Sequence, residues 1–163
     1  DAILNREVFW VTDPLTLGVA TVAAILVFFT AHLLESRYRA LLWFDAFALA
    51  VAVPAGVAVA LFEGQGWPIV LVMGMITGCM GGLLRDVVCN EVPLILKQGE
   101  LYATCALAGS LGAVVATGCG LGKGVSLLVC AALVFTLRAG SISLGWRLPV
   151  YKSQPPRPGA PKR

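Results

Sequence analysis

Five long apolar runs dominate this sequence and constrain it to a bundle of membrane-spanning helices. Each run approaches or exceeds the roughly 20 residues that a helix needs to cross the hydrocarbon core of a bilayer. The runs do not alternate at every second position, as the strands of a membrane barrel would. The sequence therefore predicts an all-α, polytopic membrane protein with five spans, at 15–34, 40–62, 68–84, 101–117 and 125–146.

Composition supports this class and argues against several others. Of the 163 residues, 58% are hydrophobic and only 13% are charged, whereas soluble domains carry about a quarter charged residues. The five cysteines lie mostly in the apolar runs without Cys-x-x-Cys spacing, and this pattern favours packing over disulfides or metal ligands. Because no nucleophile–base pair, phosphate-binding loop or metal cluster is evident, the sequence predicts neither an enzyme nor a bound cofactor.

The basic residues of the loops indicate how the chain is oriented. Arg6 and Lys123 fall on one side of the membrane, and all the other loop and tail cations fall on the opposite side. Cytoplasmic loops carry the excess of Lys and Arg, so we expect a cytoplasmic C-terminus and an external N-terminal segment. Residues 152–163 are Pro-rich and basic, which predicts a disordered cytoplasmic tail with no nucleic-acid partner. The cations of the cytoplasmic side are Arg37, Arg39, Arg85, Lys97, Arg147, Lys152, Arg157, Lys162 and Arg163.

Two segments indicate an internal repeat. Residues 1–10 align with residues 86–95 so that Asp1 meets Asp86 and Asn5 meets Asn90. Three spans separate the two copies, so they face opposite sides of the membrane, as in the inverted repeats of transporters and channels. We therefore expect an inverted 3+3 repeat plus one final helix. In this plan residues 1–17 end the first-repeat motif, and two further helices precede Asp1.

The stretch from Gly81 to Pro93, GGLLRDVVCNEVP, resembles the second-repeat signature of the bacterial glycine transporter domain family. That family includes the prokaryotic trimeric intracellular cation (TRIC) channels. Phe9–Pro14 is similar to the first-repeat counterpart and Gly145–Pro149 to the last helix, whereas Met80 stands where a third glycine is often found. The resemblance implies a homotrimer in the bacterial inner membrane, with membrane lipids around it. It also implies a pore for monovalent cations in each subunit, beside a helix kinked at its glycines.

On this resemblance, the residues expected at the pore or hinge are Gly78, Gly81, Gly82, Arg85 and Asp86. Adjacent glycines make a helix easy to bend, and a bend exposes carbonyls that solvate cations. An alternative for Gly78, and for Gly74 before it, is close helix packing. For Arg85 and Asp86 the alternative is an interfacial ion pair at which the helix stops; otherwise they line a water-filled vestibule, where Arg85 neutralises Asp86 or binds a lipid phosphate.

Three further charged residues are candidates for a polar pathway or for pairing: Asp45, Arg138 and Asp1. A carboxylate at the centre of a membrane helix costs roughly 2.5–3.5 kcal/mol on insertion scales, so Asp45 should face a partner or water. Because Asp45 lies near the start of its span, snorkelling to the interface is the alternative. Arg138 lies deeper in the last span and is placed to pair across the bundle.

Two functions fit these features, and a third is weaker. The first is a passive, potassium-permeable channel for monovalent cations with one pore in each subunit of a homotrimer. The second is a secondary transporter of glycine or another small amino acid, because helix breaks near an inverted-repeat midplane also serve alternating access. The third is a structural membrane protein in which the glycines only pack helices.

Overall fold

The computed structural model describes residues 11, 14–34, 38–96 and 101–146, and almost all of them are helical. The long helices are α1 (Pro14–Leu34), α2 (Tyr38–Phe62), α3 (Trp67–Val88), α4 (Ala103–Gly118) and α5 (Lys123–Leu144). A short 3-10 helix, Leu94–Leu96, lies between α3 and α4. The described residues contain no strand, so the predicted all-α class is confirmed.

The five helices overlap the five predicted spans. Within the described residues, three helices are long and apolar enough to cross a membrane, at Ala40–Phe62, Trp67–Val88 and Lys123–Leu144. Two shorter apolar helices accompany them, Leu15–Leu26 within α1 and Ala103–Gly118. The chain is an integral membrane protein built from these helices.

The chain divides into two compact units, residues 1–41 and residues 42–163. The first unit contains α1, in which Thr21 Oγ1 donates a hydrogen bond to the carbonyl oxygen of Leu17 at 2.8 Å. This bond satisfies the hydroxyl within its own helix, as is usual for threonine in an apolar environment. The second unit contains nearly all of α2 and the four elements after it.

In the second unit, α2 to α5 form a ring in which each helix runs antiparallel to the helices that it contacts. Small residues allow this close approach, because bulkier side chains would hold the backbones apart. A Cβ atom added at Gly74 would meet side-chain atoms of Val57 in α2 and Ser110 in α4, and one added at Gly109 would meet Val134 in α5. Phe47 links α2 to α5 and so completes the arrangement of four helices. The centroid of its aromatic ring lies 4.8 Å from that of Phe135 in α5.

Three helices end in the same hydrogen-bonded turn. At the end of α3, Asn90 has a φ of 55°, and the amides of Asn90 and Glu91 donate to the carbonyls of Val87 and Asp86. Gly64 after α2 and Gly120 after α4 have positive φ in the equivalent position. This arrangement satisfies helix carbonyls that would otherwise lack a donor, and it favours Gly or Asn at the left-handed residue.

The structure corrects two details of the sequence interpretation. The helix stop expected at Arg85-Asp86 is wrong, because α3 continues to Val88 and the left-handed Asn90 turns the chain. The sequence also predicts a break in the second span at Pro54-Ala55-Gly56, because proline interrupts a helix, but α2 is helical through Pro54. Asp1, the rest of residues 1–10 and the tail at 152–163 lie outside the described residues. The repeat alignment and the tail therefore stay predictions.

Candidate functional site

Four charged residues and one tyrosine meet at one end of the four-helix unit, and we call them the charge cluster: Asp45, Arg85, Asp86, Tyr102 and Arg138. All four helices contribute: Asp45 lies in α2, Arg85 and Asp86 lie in the last turn of α3, Tyr102 directly precedes α4, and Arg138 lies in α5. The antiparallel order brings the start of α2 and α4 beside the end of α3 and α5. Topology alone therefore assembles residues up to 93 positions apart.

Arg85 bridges the two carboxylates of the charge cluster. Its Nη1 lies 2.9 Å from Asp45 Oδ1, and its Nε and Nη2 lie 2.8 Å and 2.7 Å from Asp86 Oδ1. The side chain of Arg85 is 34% exposed, whereas that of Asp45 is only 3% exposed. Arg85 is thus the more exposed member of the ion pair, and Asp45 is the member held inside.

Asp86 has a second role in local structure. Its Oδ2 accepts a hydrogen bond of 2.8 Å from the backbone amide of Leu94. This bond fixes the 3-10 helix against the last turn of α3. One carboxylate therefore joins the ion pair with Arg85 to the connection between α3 and α4.

Arg138 closes the charge cluster from α5 and is completely buried. Its Nη2 lies 3.9 Å from Asp45 Oδ2, and its guanidinium carbon lies 5.0 Å from the centroid of the Tyr102 ring. An arginine above an aromatic face is attracted by the electron density of the ring. Tyr102 is only 3% exposed, and its hydroxyl donates to Asp45 Oδ1 at 3.3 Å.

The formal charges of the charge cluster cancel, since two carboxylates face two guanidinium groups. Breaking a buried ion pair by removing one partner typically costs 3–5 kcal/mol, because the remaining charge is left without compensation. The arrangement can hold four helices in register, and it concentrates carboxylate and guanidinium groups at one end of the bundle. The described residues contain no group of three or more His, Cys, Asp or Glu side chains that could hold a metal ion.

The glycines expected at the pore or hinge divide into three environments. Gly78 packs against α2, where an added Cβ would meet Val53 and lie 3.1 Å from Leu49 Cδ1. An added Cβ at Gly82 would lie 2.5 Å from the Tyr102 hydroxyl, and one at Gly81 would meet no described atom within 4 Å. The α-helix is continuous through the pair, so it is not unwound there. The contacts of Gly74 and Gly78 match the packing alternative, whereas a pore role stays a prediction.

One sequence alternative for the charged residues is corrected by this geometry. Snorkelling of Asp45 is wrong, because its carboxylate is buried between Arg85 and Arg138. Arg85 and Asp86 form the ion pair that the sequence offered as an alternative, and Asp86 is buried within the described chain. The pairing expected for Arg138 across the bundle is present as a 3.9 Å approach to Asp45.

Sequence reasoning missed Tyr102. The residue stands at the start of an apolar run, where a tyrosine is ordinarily an interfacial anchor. A usable signal was its place at the same end of the bundle as Asp45, Arg85 and Asp86. A buried tyrosine needs a hydrogen-bond partner for its hydroxyl, and a buried aspartate at the same depth offers one.

Comparisons with known proteins find relatives of this chain in both sequence and structure. The family model described as glycine transporter matches residues 42–118, a range that holds the charge cluster apart from Arg138. A solved structure of the TRIC trimeric intracellular cation channel orthologue from Rhodobacter sphaeroides is 36% identical, with a TM-score of 0.82. The superposition covers 88% of this chain and 74% of that one. The chain belongs to the TRIC channel family.

Other relatives of this TRIC-family chain agree with the assignment. A second solved TRIC cation channel is 30% identical with a TM-score of 0.72, covering 82% of this chain and 66% of the other. A UPF0126 membrane protein of Vibrio cholerae is 34% identical over 92% of this chain, and the UPF0126 inner membrane protein YadS of Escherichia coli is 41% identical over 68%. The chain spans 63% and 53% of the lengths of these two curated relatives.

Proposed function

We propose that this protein is a passive channel for monovalent cations, permeable to potassium, that works as a homotrimer with one pore in each subunit. The observation that carries the proposal is the likeness to a TRIC cation channel orthologue at a TM-score of 0.82 over 88% of the chain. It has no catalytic role and needs no cofactor. Permeant cations and membrane lipids are its partners.

The charge cluster supplies the chemistry that such a channel needs. Asp45 and Asp86 place two carboxylates inside a helix bundle, where negative charge attracts cations. Arg85 bonds to both carboxylates and is the more exposed member of the ion pairs. When Arg85 turns toward solvent, negative charge is released on the route of the ion, and when it returns the charge is neutralised. Conduction needs such weak, reversible binding, because an ion must also leave.

A secondary transporter of glycine or another small amino acid is the second candidate. Two observations favour it: the family model described as glycine transporter, and the opposite charges of Asp45 and Arg138 only 3.9 Å apart. A zwitterion binds through one carboxylate and one cationic group, and this pair provides both.

Recording from the purified protein in planar bilayers separates the two candidates. Under a KCl gradient we expect discrete current steps whose reversal potential lies toward the potassium equilibrium potential. Addition of glycine should leave those steps unchanged. Glycine uptake into vesicles without current steps would establish the carrier instead and overturn the channel.

We also place the charge cluster and the C-terminus on the cytoplasmic side of the inner membrane, as the distribution of basic residues predicts. Two exposed cysteines test this directly, because Cys89 follows α3 at the cluster end and Cys119 follows α4 at the opposite end. In variants that keep one of them, a membrane-impermeant maleimide should label Cys119 in intact cells. Cys89 should react only after the inner membrane is opened. The reverse pattern would invert the topology.

A further inference from the structure

Tyr102 contacts two buried members of the charge cluster, Asp45 and Arg138. Its hydroxyl bonds to Asp45 from α2 at 3.3 Å, and its ring lies 5.0 Å from the guanidinium carbon of Arg138 from α5. The residue itself precedes α4 and is buried. A single side chain thus connects the carboxylate and the innermost cation of the cluster.

Gly82 is what admits the tyrosine hydroxyl. A Cβ atom at position 82 would lie 2.5 Å from the hydroxyl oxygen and 3.4 Å from the Cζ atom of Tyr102. The first distance is a severe overlap, whereas the second is an ordinary contact. An alanine at position 82 would therefore overlap with the Tyr102 hydroxyl but would leave room for the aromatic ring. The neighbouring Gly81 has no such contact within the described chain.

Asp45 Oδ1 has two donors of different character. Arg85 binds it at 2.9 Å with a side chain that is about one-third exposed, and Tyr102 binds it at 3.3 Å from a buried position. Arginine has a long side chain with many rotamers, whereas the tyrosine ring turns about only two bonds and is enclosed. Arg85 is therefore the donor that leaves Asp45 more easily, and Tyr102 is the more fixed of the two.

We propose that Tyr102 is a positioning residue for Asp45 and keeps its carboxylate oriented when Arg85 releases it. The missing side chain of Gly82 leaves the space that the Tyr102 hydroxyl occupies. The proposal rests on the channel function, since the oriented carboxylate is what a permeating cation meets. In this arrangement the second glycine of the pair serves the tyrosine contact rather than helix bending.

Tyr102→Phe removes only the hydroxyl and keeps the ring against Arg138. One hydrogen bond to a charged group is lost, so we expect the potassium-over-chloride permeability ratio to fall roughly two- to tenfold. The ratio is read from the reversal potential under a KCl gradient. Ser110→Ala is the matched control, because it removes a buried hydroxyl of α4 that bonds within its own helix to Ala106. An unchanged ratio in Tyr102→Phe, with a conducting parent protein, overturns the proposal.

The Gly82→Ala variant provides a second, independent test of the proposal. It should lower both the permeability ratio and the melting temperature, because the new methyl displaces the hydroxyl. In the double variant with Tyr102→Phe the overlapping atom is gone, so the melting temperature should recover and the ratio should match that of Tyr102→Phe alone. Additive effects of the two substitutions on both readouts overturn the proposal. A merely structural role for Tyr102 would leave the ratio unmoved.

A third measurement keeps the proposal separate from the channel function. Melting temperatures of Tyr102→Phe, Asp45→Asn and their combination need no current. If the hydroxyl orients Asp45, the two effects are coupled and the combined loss is smaller than their sum. Coupling without any current from the parent protein would reject the channel and retain the positioning role, whereas the absence of coupling rejects the positioning role itself.

Discussion

Helix α3 holds its neighbours by two different means along its length. In its middle, Gly74 and Gly78 leave room for side chains of α2 and, at Gly74, for Ser110 of α4, all of which an added Cβ would meet. At its C-terminal end, Arg85 forms an ion pair with Asp45 of α2, and Asp86 accepts a hydrogen bond from the Leu94 amide of the 3-10 helix. The first contact depends on shape and the second on charge.

The difference teaches where this protein is rigid and where it can change state. Close packing of small residues has one good arrangement, because any shift leaves voids or overlaps. The ion pairs of Arg85 are less constrained, since its side chain reaches two carboxylates and is 34% exposed. We therefore propose that the glycine-lined middle fixes the spacing of the helices, and that any rearrangement is confined to the Arg85 contacts of the charge cluster.

The largest effect on stability should come from Asp45→Asn. The substitution leaves Arg85 and the fully buried Arg138 facing a neutral amide, and loss of one partner from a buried ion pair costs about 3–5 kcal/mol. We expect a correspondingly large fall in the free energy of unfolding, followed by tryptophan fluorescence during denaturation in detergent.

The exposed Glu91 provides the control for this change. Glu91→Gln removes a carboxylate near the same end of the bundle, and surface substitutions of this kind stay within about 0.5 kcal/mol. Equal losses in the two variants would contradict the view that burial gives the charge cluster its strength.

Gly78→Ala should have the next largest effect and tests the packed middle. The new Cβ meets Val53 and lies 3.1 Å from Leu49 Cδ1, and overpacking of this kind costs typically 1–3 kcal/mol. Gly118→Ala is the matched control, since no atom of the described part of the chain lies within 4 Å of its added Cβ. If both glycines tolerate alanine equally in thermal melting, close approach is not what selects glycine at 78.

Asp86→Asn should act on flux more than on the fold. The amide oxygen can still accept from the Leu94 amide, but the negative charge beside Arg85 is lost. We expect cation current to fall at about 0.1 M salt and to approach the parent value at 1 M, where the Debye length is only about 3 Å. Currents that differ by the same factor at every salt concentration would place the ion route away from Asp86.

Much of the fold follows from local sequence, and much of the site does not. The spans are predictable because a membrane helix satisfies its own backbone, so apolar length alone identifies it. Glycine is typical of the left-handed residue after a helix, as at Gly64 and Gly120. Asn90 is a weaker signal for the same turn, so the extension of α3 to Val88 is not predicted. The approach of Asp45 to Arg85 and Arg138 depends on antiparallel packing across 40 and 93 positions, which no local pattern encodes.

The smallest effect, and the sharpest contrast within the glycine pair, should come from Gly81→Ala. An added Cβ at 81 meets no atom of the described residues within 4 Å, and alanine is favoured over glycine in a helix interior by about 1 kcal/mol. A single subunit should therefore melt at the same temperature or slightly higher. The melting temperature in detergent is then compared with that in lipid, where the proposed trimer would form. A lower melting temperature of Gly81→Ala in lipid alone would place Gly81 against another subunit. A lower melting temperature in detergent as well would mean that the space beside Gly81 is filled, and it would contradict the division between Gly81 and Gly82.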